Sequence, residues 1–120
     1  MTEAEYNQFC GNLPGTHFVR QWGDAAVWKV GGKVFAIAGW QDEAGVLAVT
    51  FKVSRLSFDI MKDQPGLRPA PYLASRGFTW IQHYAEPGLN DEDLKQYLKE
   101  SHRLVAGGLS KKKQQELGIA

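Results

Sequence analysis

Three lysines, Lys29, Lys33 and Lys52, fall in stretches that alternate like β-strands, and Arg68 and Arg76 follow in the next connection. Cations gathered on a sheet face have one ready chemistry: they neutralise phosphates, release counterions and give affinity without reading sequence. The ordinary alternative is a solvated face whose lysines discourage edge pairing with other chains. Tyr72 and Trp80 lie close by in the chain. An aromatic ring there can stack on bases or sugars, or it can fill the core, the commoner fate of a Trp in a small β-rich domain. The run Lys111-Lys112-Lys113 offers a further phosphate-contacting patch. The candidate DNA-binding set is therefore Lys29, Lys33, Lys52, Arg68, Tyr72, Arg76, Trp80, Lys111 and Lys112.

Residues that could do covalent or acid–base chemistry are poorly placed for it. His17, His83 and His102 are far apart and show neither an H-E-x-x-H pattern nor a Cys/His zinc spacing. Ser101 and His102 are consecutive on a predicted helix, where neighbouring side chains do not face each other, so they make no nucleophile and base pair. Ser101 is expected to bond within its helix or to a neighbouring strand. Gly32-Lys33 has the ending of a phosphate-binding loop, but that motif needs Gly at position 27 and Ser or Thr at 34, and Val27 and Val34 stand there. Cys10 falls on an apolar helical stripe, the setting of an inert buried thiol. No catalytic residue, metal or cofactor is expected.

Composition bounds the partner without naming it. With 120 residues, 43% of them hydrophobic and 22% charged, the chain reads as one domain over residues 1–120. A net charge of +1 is well short of the basic balance that announces nucleic-acid binding. The charge is unevenly spread, however: residues 1–43 and 85–100 are net acidic, 44–84 and 101–120 net basic. The apolar run Val34 to Trp40 is far shorter than the roughly 20 residues of a membrane span. An acidic N-terminus without an apolar centre does not read as a secretory signal, and a single cysteine suits a reducing compartment. The expectation is a cytoplasmic monomer.

The elements that must position these residues can be read in order. Thr2-x-x-Glu5 has capping-box spacing, and Tyr6, Phe9, Cys10 and Leu13 continue it as a helical stripe over 2–12. From Thr16 to Val53 the content turns aromatic and β-branched. Gly31-Gly32 supplies a two-residue hairpin turn with Val30 opposite Lys33. Strict alternation then puts Trp28, Val30, Phe35 and Ile37 on a core face, and Lys29, Val34, Ala36 and Ala38 on the other. A strand over Val46–Val53 divides likewise, with Leu47, Val49, Phe51 and Val53 inward and Val46, Ala48, Thr50 and Lys52 outward. The second face so drawn is small, cationic and open. Ser54 caps a short helix to Asp63 that buries Leu56, Ile60 and either Phe58 or Met61. Residues 67–77 are extended or looped, and Phe78 to Tyr84 is a strand whose parity does not choose its buried face. Asn90 or Asp91 begins the longest helix, with Leu94, Tyr97, Leu98, Ser101, Leu104 and Val105 inward and Gly107-Gly108 ending it. Ser110 to Gly118 forms a last short helix.

Taken together, Leu13-Pro14-Gly15, the run from Trp28 to Ala36, Phe51-Lys52, Arg68-Pro69-Ala70-Pro71-Tyr72-Leu73, Trp80 and the run from Ser101 to Leu109 followed by Lys111-Lys112 resemble the MmcQ/YjbR family of small bacterial proteins. His102 departs from it, since the family commonly has Tyr after the Ser. The resemblance implies an α+β fold, two layers with an antiparallel sheet covered by helices on one face, similar in outline to type III secretion chaperones. It also implies DNA binding through a double-wing arrangement of strands and loops; joined to the lysine-edged, small-residue sheet face, the expectation is a non-enzymatic protein that binds double-stranded DNA weakly and largely without sequence preference. The alternative is a protein-binding module that accepts an extended partner segment.

Overall fold

The computed structural model describes residues 1–39, 46–71, 73 and 78–119. Helix α1 (Glu3–Gly11) begins with the predicted capping box, in which the Thr2 hydroxyl accepts from Glu5 N–H and the Glu5 carboxylate accepts from Thr2 N–H. Six strands follow or interleave: β1 (Thr16–Gln21), β2 (Ala25–Val30), β3 (Lys33–Gly39), β4 (Ala48–Lys52), β5 (Leu67–Pro69) and β6 (Trp80–His83). They form one sheet, all antiparallel, in the order β1-β2-β3-β4-β6-β5. Helix α2 (Arg55–Met61) links β4 to β5, and α3 (Asp91–Gly107) and α4 (Lys111–Glu116) complete the chain. Tyr6 and Cys10 of α1, Phe58 and Met61 of α2 and Leu94, Leu98 and Val105 of α3 join Val30, Phe35, Val49, Phe51 and Ile81 of the sheet in one core. The class is α+β, with the helical layer on one side of the sheet.

One register defect changes which residues face that layer. Trp28 pairs with Ala36, but Lys29 pairs with Val34, so Phe35 is an extra residue on β3. At such a bulge two successive side chains turn to the same side. Phe35 and Ala36 both enter the helical core, Ala38 goes with them, and Ile37 is thrown to the far side beside Val27. The strict alternation predicted from the hairpin is thus corrected beyond Val34: Ala36 and Ala38 face the helical layer, and Ile37 is buried on the other face. The turn itself is as predicted, with Val30 opposite Lys33 and both Gly31 and Gly32 at positive φ.

The bulge also removes a rung of the ladder. β3 and β4 pair Ala36 with Phe51, and the next rung would join Phe35 and Lys52. Ser101 of α3 takes its place: its hydroxyl accepts from Lys52 N–H at 2.8 Å and donates to Phe35 C=O at 2.6 Å, fully buried. Ser101 therefore bonds to strands, one of the two roles expected of it.

Two other expectations change. The strand drawn from Val46 begins at Ala48. Helix α2 buries both Phe58 and Met61, while Leu56 and Ile60 are 72% and 59% exposed. A helix of two turns touches the sheet through one i, i+3 pair, and Leu56 and Ile60 lie on the opposite side of the wheel. His102 is buried on α3 beside Ser101, its Nε2 2.7 Å from Pro14 C=O and its ring edge-on to Phe35. Of the described residues, no helix is long and apolar enough to cross a membrane.

Candidate functional site

Register settles how the second face of the sheet is built. Residues opposite one another share a face, so Val19, Val27, Ile37, Thr50, Gln82 and Arg68 form one row across all six strands. Val27, Ile37, Thr50 and Gln82 are buried in this row, and Leu73, from the connection between β5 and β6, packs against the Val27 and Ile37 cluster. The centre of the face is therefore covered, which corrects the expectation of an open surface of small residues.

The adjoining row is different. His17 pairs with Lys29, Lys29 with Val34, and on the far side of the bulge Lys52 pairs with Trp80. His17 is exposed, and Lys29, Val34, Lys52 and Trp80 keep part of their surface. Strands lie about 4.8 Å apart, so Lys29 and Lys52 are about 10 Å apart along this margin. Parity, undecided in the sequence for the last strand, is now fixed: Ile81 faces the helices, and Trp80 and Gln82 face away.

Arg68 stands at the end of the buried row. Its Nε donates to Gln82 Oε1 at 2.8 Å, and Gln82 Nε2 in turn reaches Thr50 Oγ1 at 3.4 Å. The guanidinium lies 4.2 Å from the centre of the Tyr84 ring, within cation–π range. Arg68 is thus held between Gln82 and Tyr84, and its Nη groups have no further hydrogen bond among the described residues.

The other candidates are scattered. Lys33 pairs with Val30 at the turn, on the opposite side from Lys29. Lys111 and Lys112 are exposed on α4, which is anchored by Leu109 and Leu117 against Gly31 of the same turn. The α4 lysines therefore stand at the end of the sheet that carries Lys33, Lys29 and Lys52. Tyr72 and Arg76 lie outside the described residues.

The field of the sheet has one sign. Its strands carry Arg20, Lys29, Lys33, Lys52 and Arg68 and not one Asp or Glu. Arg20 is compensated by Glu3 and Asp24. None of Lys29, Lys33, Lys52 and Arg68 makes an ion pair with a described carboxylate. By contrast, the first turn of α3 is Asp91, Glu92 and Asp93.

Among the described residues, the groups capable of proton transfer do not converge. Burial pushes the Cys10 thiol far above its ordinary range. No group of three or more His, Cys, Asp or Glu converges among the described residues. On the helical side Leu13, Pro14, Gln96, His102, Arg103 and Gln114 border an open groove of about 570 Å³. Lys99, Glu100 and Arg103 supply its charge, and Arg103 forks onto Glu100, drawing the Glu100 carboxyl below its usual range.

His83 is a residue whose setting the sequence did not disclose. It is buried, neither ring nitrogen has a hydrogen-bond partner among the described residues, and Gly88 closes on its ring so tightly that a Cβ there would come within 2.4 Å of Nε2. Desolvation, followed by the positive N-terminal amine, lowers its pKa, with Asp91 and Glu86 opposing. The unfolded chain therefore takes up a proton near pH 6.5 that the folded chain resists. Stability contributed by neutral His83 is whole above that pH and is lost as pH falls toward the lower folded value. Urea midpoints measured from pH 7.5 to 5 should fall on acidification, and His83→Phe should flatten the slope; an unchanged slope in the variant would refute this.

Among known proteins, a family model described as YjbR matches residues 11–104. The crystal structure of a Deinococcus radiodurans protein with the domain DUF419 superposes with a TM-score of 0.83 at 21% identity, covering 99% of this chain and 89% of that one. A Pseudomonas syringae protein solved by structural genomics superposes with a TM-score of 0.69 at 18% identity, covering 88% of this chain and 99% of that one. No curated protein matches.

Proposed function

The chain belongs to the YjbR family, and on that premise we propose that it is a non-enzymatic cytoplasmic protein that binds double-stranded DNA weakly and largely without sequence preference. The observation that carries this reading is the single-signed sheet: four cations without carboxylate partners among the described residues, and no acidic side chain in any strand. Lys29 and Lys52 supply the centre of the contact, Arg68 a planar fork, and Lys33, Lys111 and Lys112 the flank at the β2–β3 turn. Phosphate contacts of this kind position a duplex and carry no base information. Affinity in the range of about 10⁻⁴ to 10⁻⁶ M is the expectation at physiological salt.

The test is anisotropy of a labelled duplex over a series of salt concentrations. Lys29→Glu combined with Lys52→Glu should weaken binding at least about tenfold at low salt and reduce the salt slope by about 2, one unit for each phosphate no longer neutralised. Both side chains stand at the margin, so the fold should be retained by circular dichroism. Unchanged affinity in a folded double variant would overturn the assignment of this face.

A second reading, a module that receives an extended protein segment, is favoured by β1, which ends the sheet and exposes Phe18. A strand added there would use backbone bonds and an apolar pocket. Salt separates the two, since phosphate contacts weaken steeply with ionic strength and strand addition does not.

A further inference from the structure

We propose that the margin row accepts an unpaired base, so that this surface holds a single-stranded polynucleotide more tightly than a duplex of equal length. The inference rests on the phosphate-binding reading above and adds the chemical form of the ligand.

Trp80 is directly opposite Lys52 on the neighbouring strand and faces away from the helical core. The backbone pairing continues one residue further, because Val53 N–H donates to Thr79 C=O at 2.9 Å. Phe78 therefore follows Trp80 at the two-residue spacing that shares a face, and it is 50% exposed. Here β6 presents Trp80 beside Lys52, and the extended chain leading into it adds the exposed Phe78, next to the buried row that fixes the strands beneath them.

A duplex cannot use those rings. Its bases are stacked on one another with their faces occupied, so it meets the surface only through phosphates, whose counterion release per contact is somewhat larger for a duplex than for a single strand. A single strand offers the same phosphates and, in addition, free ring faces for Trp80 and Phe78, a combination of cations and stacking platform that suits any base. Stacking does not depend on the sugar, so DNA and RNA single strands share the chemistry.

The experiment compares three labelled probes of equal length: an oligothymidylate, an oligouridylate and a DNA duplex. Each is titrated at low salt against the protein, Trp80→Leu and Trp80→Phe. The single strands should bind about tenfold tighter than the duplex. Trp80→Leu should cost the single strands about tenfold, an effect in the range of one base–aromatic stack, while leaving the duplex within twofold, and Trp80→Phe should retain most of the single-strand affinity. Equal binding of the two single strands supports stacking alone; preference for one of them adds a contact to the 2′-hydroxyl or to the thymine methyl group and leaves the stacking result standing. If single strand and duplex bind alike and Trp80→Leu is silent in a folded protein, this inference is overturned and the phosphate reading stands. If none of the probes binds, both fall.

Discussion

Ser101→Ala should lower the free energy of unfolding by about 3 kcal/mol, measured by urea denaturation. The hydroxyl stands where a rung of the β3–β4 ladder is missing, and it accepts from Lys52 N–H while donating to Phe35 C=O. Removing it leaves two backbone groups without partners at a site where the serine is completely buried. Each such group costs about 1 to 3 kcal/mol, and alanine leaves a space too small for water to restore both bonds. Ser101→Thr keeps the hydroxyl but adds a methyl group against Phe35 and the strands, so it should recover only part of the loss. A change below about 1 kcal/mol in Ser101→Ala would mean that β3 and β4 close the rung directly and that the bulge is not held open by α3. The consequence reaches the surface, because the same bond fixes the backbone of Lys52, one of the two margin lysines.

Most of the helical layer was legible in the sequence because its signals are local. Thr2 with Glu5, Ser54, Asn90 and Ser110 each cap the helix that follows, and i, i+3 and i, i+4 spacing marked Tyr6, Cys10, Leu94 and Leu98 as buried. The two-glycine turn was legible for the same reason, since only residues tolerant of positive φ make so tight a hairpin. What could not be read was the bulge at Phe35. Nothing in Val34-Phe35-Ala36 distinguishes a bulged strand from a regular one, because the group that bonds the displaced carbonyl is a serine 66 residues away. One such insertion inverts every assignment downstream on the strand, and so Ala36, Ile37 and Ala38 exchanged faces.

The site was half legible for related reasons. Lys29 and Lys52 were correctly paired on one face because each lies on a strand that alternates without an insertion of its own. The covered centre of that face was not foreseeable. It depends on Leu73 returning over Val27 and Ile37 from a connection whose path no periodicity encodes. The placement of Trp80 needed the partner strand, since both parities of Phe78 to Tyr84 are aromatic or apolar. Pairing with Lys52 resolves it. The stack of Arg68 on Tyr84 likewise joins residues from two segments whose adjacency appears only once β5 pairs with β6.

Gly66→Ala should be more damaging still, with an expected loss of about 3 to 5 kcal/mol by urea denaturation. Two costs add at this position. Its φ of +85° lies in the region L-residues avoid, a conformational cost of about 1 to 2 kcal/mol. A Cβ would also meet Ala85 C=O at 2.2 Å and Gly88 N at 2.5 Å, both main-chain atoms that no rotamer change can move; such overpacking costs typically about 1 to 3 kcal/mol. The clash cannot be relieved by shifting residue 66, because Gly66 C=O accepts from Tyr84 N–H and Gly88 N–H donates to Pro65 C=O. Gly32→Ala separates the two costs: its φ is +82° but nothing lies within 4 Å of the added carbon, so it should lose only about 1 to 2 kcal/mol. Equal losses in the two variants would show that segment 84–88 yields to the added methyl group. If the larger loss is found, the damage should centre on the entry to β5 and the exit of β6, the pair that seats Arg68 against Gln82 and carries Trp80. Hydrogen exchange should then rise first at Leu67 and His83, which face each other beside Gly66, and spread to β4 only with global unfolding.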